Sequence, residues 1–302
     1  MTIVLYTLTA LLYGGLSVVG WRAHRSGLAQ PLVASVPVVL RETRLLSAAS
    51  GVSGTSRAVL FTALVSHGVL LHATIFPNDA MLFGFAFALS AMFWLGVGIY
   101  WIESFFFPLD SLRLLVLPLA CAASLLPLGF GGVRVLPYAA APLFKMHFLI
   151  ANIAYGLFTI AALHAVLMLM VERHLQALRQ EGSRIESSGF LADWLETLPP
   201  LLTLEKLLFR LLDAGFVLLT LTLASGILFS EQVDARALRF DHKTVFAILS
   251  WFMFCGILVA RRLSGWRGRG AACWVLASFG ALLFAYVGSR FVLEVLLHRA
   301  VV

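Results

Sequence analysis

The chain has 302 residues, of which 61% are hydrophobic and only 12% charged. A soluble domain carries about 25% charged residues, so this composition excludes a soluble enzyme and points to a membrane protein. The net charge of +7 does not mark a nucleic-acid binder, because the Lys and Arg residues sit in short loops between apolar runs.

Apolar runs long enough to cross a bilayer recur along the whole chain. They predict an all-α, polytopic integral membrane bundle of eight spans. These lie near residues 2–21, 58–76, 81–101, 114–131, 146–170, 214–230, 244–260 and 272–293. The first run has no basic segment before it and positive charge after it, the reverse of a cleavable signal peptide. It is expected to remain as a membrane helix. The fourth run contains Pro118 and Pro127, which a membrane bundle tolerates. The whole chain, 1–302, reads as one membrane domain. Its two long connections are 22–57 and 171–213. Within the second, leucines at helical spacing around Glu205, Lys206 and Arg210 predict an amphipathic helix along the cytoplasmic interface, leading into the sixth span.

No nucleotide-binding loop, dinucleotide fingerprint, zincin helix or nucleophile elbow occurs. Cys121, Cys255 and Cys273 lie in apolar runs with no metal-like or redox spacing, and read as small buried hydrophobes. The carboxylates in or beside the spans (Glu103, Asp213, Glu231, Glu294) avoid the middle of the membrane, which argues against a proton-coupled transporter.

Histidines carry the chemical signal. His67 falls near the middle of the second span, with His72 further along it, and His164 lies in the fifth. His147 opens the fifth span, His242 precedes the seventh and His298 follows the eighth, all at one end of the bundle. A single interfacial histidine usually hydrogen-bonds at the headgroup level; three at one end suggest a ligand set. Neutral imidazoles on facing helices can hold haem iron axially. Lys145, Arg236, Arg239, Arg290 and Arg299 gather at the same end and are candidates to meet haem propionates.

Four stretches carry a family resemblance. KMHFLIANIAYGLFTIAALHAVLML resembles a helix that opens with an outer-face haem histidine and continues to a Tyr-Gly pair. TLEKLLFRLLDAGFVLLTLTLASGILF is similar to an acidic–arginine amphipathic lead into the next span. FDHKTVFAILSWFMFCGILVARRLSGWRGRGAA and YVGSRFVLEVLLHR resemble the segments that follow, the last ending in a second outer-face histidine. Together they resemble the CcsA/ResC-type cytochrome c assembly family, and most closely its short YpjD/HemX-like branch, best over 140–300.

The resemblance implies a haem-binding protein of the bacterial-type inner membrane. Its cofactor would be non-covalent, b-type haem, with His147 and His298 as axial ligands. His242 is the reserve ligand, and His67 would be the remnant of an intramembrane pair. Arg290 and Arg236 are the cations expected to contact haem. The implied partners are other cytochrome c assembly proteins and membrane lipid, with no nucleic acid. Two departures weaken the implication of haem attachment. The residues directly before Asp241, EQVDARALRF, hold no tryptophan where the family carries a tryptophan-rich stretch, and Ala260 stands at about the place of the family's second intramembrane histidine. An accessory role is therefore expected rather than a complete synthase. The alternative is a structural or regulatory partner that no longer binds haem.

Orientation follows from counting. The loops after the first, third, fifth and seventh spans hold 15 of the 22 Lys and Arg residues. The positive-inside rule then puts both termini outside. A reporter active only outside the cytoplasm should work when fused after Val302 and fail when inserted at 264–270. The opposite pattern would invert this orientation.

Overall fold

The computed structural model describes residues 2–28, 54–76, 81–107, 109–130, 134–135, 142–180, 200–234 and 242–296. Among these, eight helices are long and apolar enough to cross a membrane. They are α1 (Thr2–Leu28), α2 (Gly54–Ile75), α3 (Phe85–Glu103), α4 (Asp110–Gly129), α5 (Pro142–Gln180), α6 (Leu201–Asp234), α7 (His242–Ser264) and α8 (Arg269–Leu283). The last continues through a π-turn at Phe284–Gly288, a short α-helical piece at Ser289–Phe291 and a second π segment at Val292–Leu296. A two-stranded antiparallel ribbon, β1 (Leu82–Phe83) with β2 (Arg134–Val135), pairs Leu82 with Val135 and Phe83 with Arg134.

Helices dominate because hydrocarbon offers no water to an unpaired N–H or C=O, and a helix satisfies these groups within itself. α4 runs through Pro118 and Pro127 as one helix. The turn between α7 and α8 depends on Gly265 and Gly268, whose φ angles of 65° and 75° disfavour residues with a Cβ.

Two four-helix groups emerge from the packing. In the first, α1 meets α2 and α4, and α3 also meets both α2 and α4. In the second, α5 meets α6 and α8, and α7 also meets both α6 and α8. The seam between the groups is α3 against α5. It is close because Gly156 lets the helices approach: a Cβ there would fall 2.7 Å from Leu95 Cβ. Deeper in the second group, Phe158 of α5 stacks on Phe254 of α7 at 4.1 Å, and Gly215 of α6 packs against the Phe158 ring.

Residues 201–213, expected as an interfacial lead, form the first part of α6 without a break. Leu204, Leu207, Leu208, Leu211 and Leu212 are buried there, with Phe209 beneath the Arg261 guanidinium at 3.6 Å. α5 likewise runs on to Gln180, so His174 stands on a helix rather than in a loop.

The seam yields a test of the packing. Gly156→Ala should destabilise the fold by about 1–3 kcal/mol, since Leu95 Cβ cannot rotate away. Gly15→Ala, which meets open space, should be neutral or slightly stabilising. Melting midpoints in detergent check both.

Candidate functional site

His147 sits in the second turn of α5 and faces α6. Its Nδ1 lies 3.0 Å from the Ser225 hydroxyl, which itself donates to the Thr222 carbonyl at 3.1 Å. When the Ser225 proton goes to that carbonyl, the imidazole Nδ1–H is the donor and the Ser225 oxygen the acceptor, and Nε2 carries the lone pair. This is how a metal-binding histidine is held: one ring nitrogen anchored, the other presented. Gly226 of α6 makes room for the ring, since a Cβ there would stand 3.3 Å from His147 Cε1. The side chain is half-buried in the apolar zone of the bundle.

The other expected ligands are distributed differently. His298 and Arg236 lie outside the described residues. His242 is the first residue of α7, exposed at the same end as His147.

His67 is fully buried in the first helix group. Its Nε2 is 2.9 Å from Ser90 Oγ on α3 and its Nδ1 is 3.3 Å from Tyr13 Oη on α1. Both ring nitrogens are thus engaged. Thr9 and Ser66 add a second α1–α2 bond at 2.9 Å nearby. His67 therefore ties α1, α2 and α3 together, and it belongs to a different helix group from His147.

Arg290 is 6% exposed, on the continuation of α8. Its guanidinium lies 5.9 Å from the Tyr286 ring, which packs on Phe83 at 5.7 Å. Phe83 in turn meets Phe148 at 5.0 Å, so an aromatic layer caps the His147 end of the bundle.

Sequence reasoning missed Ser225, Thr222 and Gly226, which prepare His147. The only signal was a run of small residues, Ala224–Ser225–Gly226, within an apolar helix. It also gave no role to His164. That side chain is fully buried, donates from Nδ1 to the Ile160 carbonyl at 2.9 Å and leaves Nε2 without a partner.

No group of three or more His, Cys, Asp or Glu residues that could hold a bare metal ion forms among the described residues. Haem iron asks less, taking four bonds from its own macrocycle and at most two from protein. His147 fits one of those two positions.

A model of the family described as cytochrome c assembly protein matches residues 53–297. The chain belongs to this cytochrome c assembly family. It is a multi-pass membrane protein. An uncharacterised 28.8 kDa protein of Azospirillum brasilense is 32% identical over 152 residues, covering 50% of this chain and 52% of that protein. Inner membrane protein YpjD of Escherichia coli is 28% identical over 190 residues, 60% of this chain and 65% of YpjD. Cytochrome c biogenesis protein CcsA of Parasynechococcus marenigrum is 25% identical over 232 residues, 62% of this chain and 76% of that protein. The matches to the first two relatives thus cover between about half and two-thirds of their lengths. No solved structure matches.

The role of His67 as an interhelical tie is testable. His67→Leu should strand the Ser90 and Tyr13 hydroxyls in the core and cost about 1–3 kcal/mol. Thermal unfolding in detergent reads this.

Proposed function

We propose that this chain is a haem-binding protein of the inner membrane that assists cytochrome c assembly without itself completing haem attachment. The observation that carries the reading is the Thr222–Ser225–His147 relay, which presents a bare imidazole nitrogen at one end of the second helix group. Family membership supplies the context, since cytochromes c carry haem and a family of assembly proteins must deal with it. His147 is one axial ligand and His298 the other, with His242 the alternative second ligand. The cofactor is b-type haem held without a covalent bond, and other cytochrome c assembly proteins are the partners. Bound there, haem would supply its iron as acceptor for the imidazole lone pair. The chain itself would orient that imidazole and keep water from the macrocycle with apolar walls. Lys145, exposed two residues before His147, stands at the right end for a propionate. An accessory role rather than attachment follows from the absence of tryptophan in EQVDARALRF, directly before Asp241.

One observation favours the competing reading, a structural or regulatory partner that has lost haem. His67, the expected remnant of an intramembrane haem site, already uses both ring nitrogens within the protein.

A visible spectrum of the protein purified in mild detergent separates the two readings. The haem reading expects a Soret band with sharp reduced α and β bands; a protein that stays colourless after haem addition supports the competing one. His147→Gly should lower haem retention about 10–100-fold, and added imidazole should restore part of it. Ser225→Ala should weaken retention in the same direction by freeing the ring to turn. His174→Ala serves as the control and should change nothing. If His147→Gly and Ser225→Ala both keep the parental spectrum, the site is elsewhere.

A further inference from the structure

Buried residues recur along the last helix at Ala271, Val275, Ser278, Leu282 and Ala285, with Ala272 beside them. Steps of four and three are the spacing of one helix face turned toward a core. Carried on without a break, that face would next take Ser289 and then Val292. The structure does otherwise. Arg290 is the buried residue, 6% exposed, while Ser289 is half-buried and Val292 is 39% exposed. The inward face has moved on by one residue. The break coincides with the π-turn at Phe284–Gly288, which takes up one residue more than an α-turn. An α-helix advances about 100° per residue, so the chain beyond the π-turn is rotated by about that angle against an unbroken helix. Without the π-turn, Ser289 would face inward and Arg290 would not.

Two contacts favour the wide turn. Tyr155 of α5 donates its hydroxyl to the Leu282 carbonyl at 2.9 Å. Leu282 is buried and stands two residues ahead of the turn, where the backbone ladder changes from i+4 to i+5 partners. A side-chain donor on that carbonyl competes with the N–H one α-turn further on, and such competition opens a helix ladder. In a dry interior the phenol must keep an acceptor, which fixes it there. The second contact lies within the turn: the Phe284 ring covers Gly288, where a Cβ would fall 2.7 Å from Phe284 Cδ1. Once turned in, Arg290 joins the aromatic layer at the His147 end. Its guanidinium lies 5.9 Å from the Tyr286 ring, which packs on Phe83 and through it on Phe148, the residue after His147.

We propose that Tyr155 is a positioning residue: its hydroxyl holds the one-residue shift in the last helix, and that shift turns the Arg290 guanidinium inward to meet a haem carboxylate. The first half stands on the helix alone; the second rests on the haem reading. A guanidinium grips a carboxylate through two parallel N–H donors, so a rotation of about 100° removes the pair rather than loosening it. Neither residue touches iron. Tyr155 therefore governs how firmly haem is kept and leaves its axial ligands alone.

The test uses the full-length protein in mild detergent. For the register, a nitroxide is attached to Val292→Cys with Cys121, Cys255 and Cys273 replaced by alanine, and its collisions with oxygen are read by electron paramagnetic resonance. The parental label should collide freely, as the exposure of Val292 requires. Tyr155→Phe should cut the collision rate, because Val292 then turns inward. Deleting Gly288 from Tyr155→Phe takes out the extra residue, so an unbroken helix returns Arg290 to the inner face and the label to the outside. For the ligand, haem retention is measured in the same variants without the label. Tyr155→Phe and Arg290→Gln should each lower it about 10–100-fold, with the reduced α and β bands unmoved. Together they should cost no more than either alone. Deleting Gly288 should rescue Tyr155→Phe and leave Arg290→Gln impaired. Should Tyr155→Phe not fold, its Gly288 deletion decides instead: it must fold, expose the label and keep haem as the parental protein does. An unchanged label signal in Tyr155→Phe overturns the hold on the register. Additive losses, a loss that the deletion does not rescue, or full retention by Arg290→Gln overturns the link to haem. A parental protein that takes up no haem sinks the haem reading and the carboxylate contact with it, while the label still decides what Tyr155 does.

Discussion

A polar side chain inside hydrocarbon has no water to return to, so each one in this bundle must bond within the protein or hold something else. Most take the first course. Thr62, Thr74, Thr159, Thr220, Thr222 and Ser278 return their hydroxyls to carbonyls one turn earlier. Trp94 Nε1 donates to the Leu64 carbonyl, binding α3 to α2, and Tyr155 donates to the Leu282 carbonyl, binding α5 to the last helix just ahead of its π-turn. Trp251 reaches the Thr220 hydroxyl between α7 and α6. These bonds set which helices are neighbours as much as the apolar packing does, because lipid tails compete with Leu and Phe but not with a hydrogen bond.

The same constraint shows in what each helix group leaves over. In the first group one polar chain is closed: Thr9 with Ser66, and Tyr13 with His67 and then Ser90. Elsewhere in that group Arg57 Nε and Glu103 Oε2 are buried without a hydrogen bond among the described residues. The second group has open atoms too. His147 has one nitrogen held and the other free, and His164 ends with Nε2 unpartnered in a dry interior. Arg290, on the last helix, is similarly unsatisfied.

This division bears on how the chain relates to its family. The family match covers 53–297, which takes in α2 to α8 and leaves α1 outside it. The family-like intramembrane position at His67 survives in sequence, yet its side chain has been absorbed into a structural tie. At His147 the protein engages Nδ1 through Ser225, beside the small Gly226. A histidine that ties helices and one with a ring nitrogen left open look alike in a sequence. They differ in whether both ring nitrogens are spent.

The sequence by itself determined the membrane class, the all-α architecture and the eight spans, because length and apolarity of each run are local properties. It also pointed to His147, His242 and His298 at one end of the bundle, because histidines bordering apolar helices stand out against their neighbours. It read an amphipathic helix before the sixth span, and that stretch forms the start of the long α6, which buries leucines and keeps Lys206 and Arg210 exposed. The tertiary structure decided that both His67 ring nitrogens are engaged within the protein and that Ser225 of α6 meets Nδ1 of His147. Each of these depends on contacts between residues tens of positions apart. Helical periodicity tells which residues share a face, but only packing tells what that face meets.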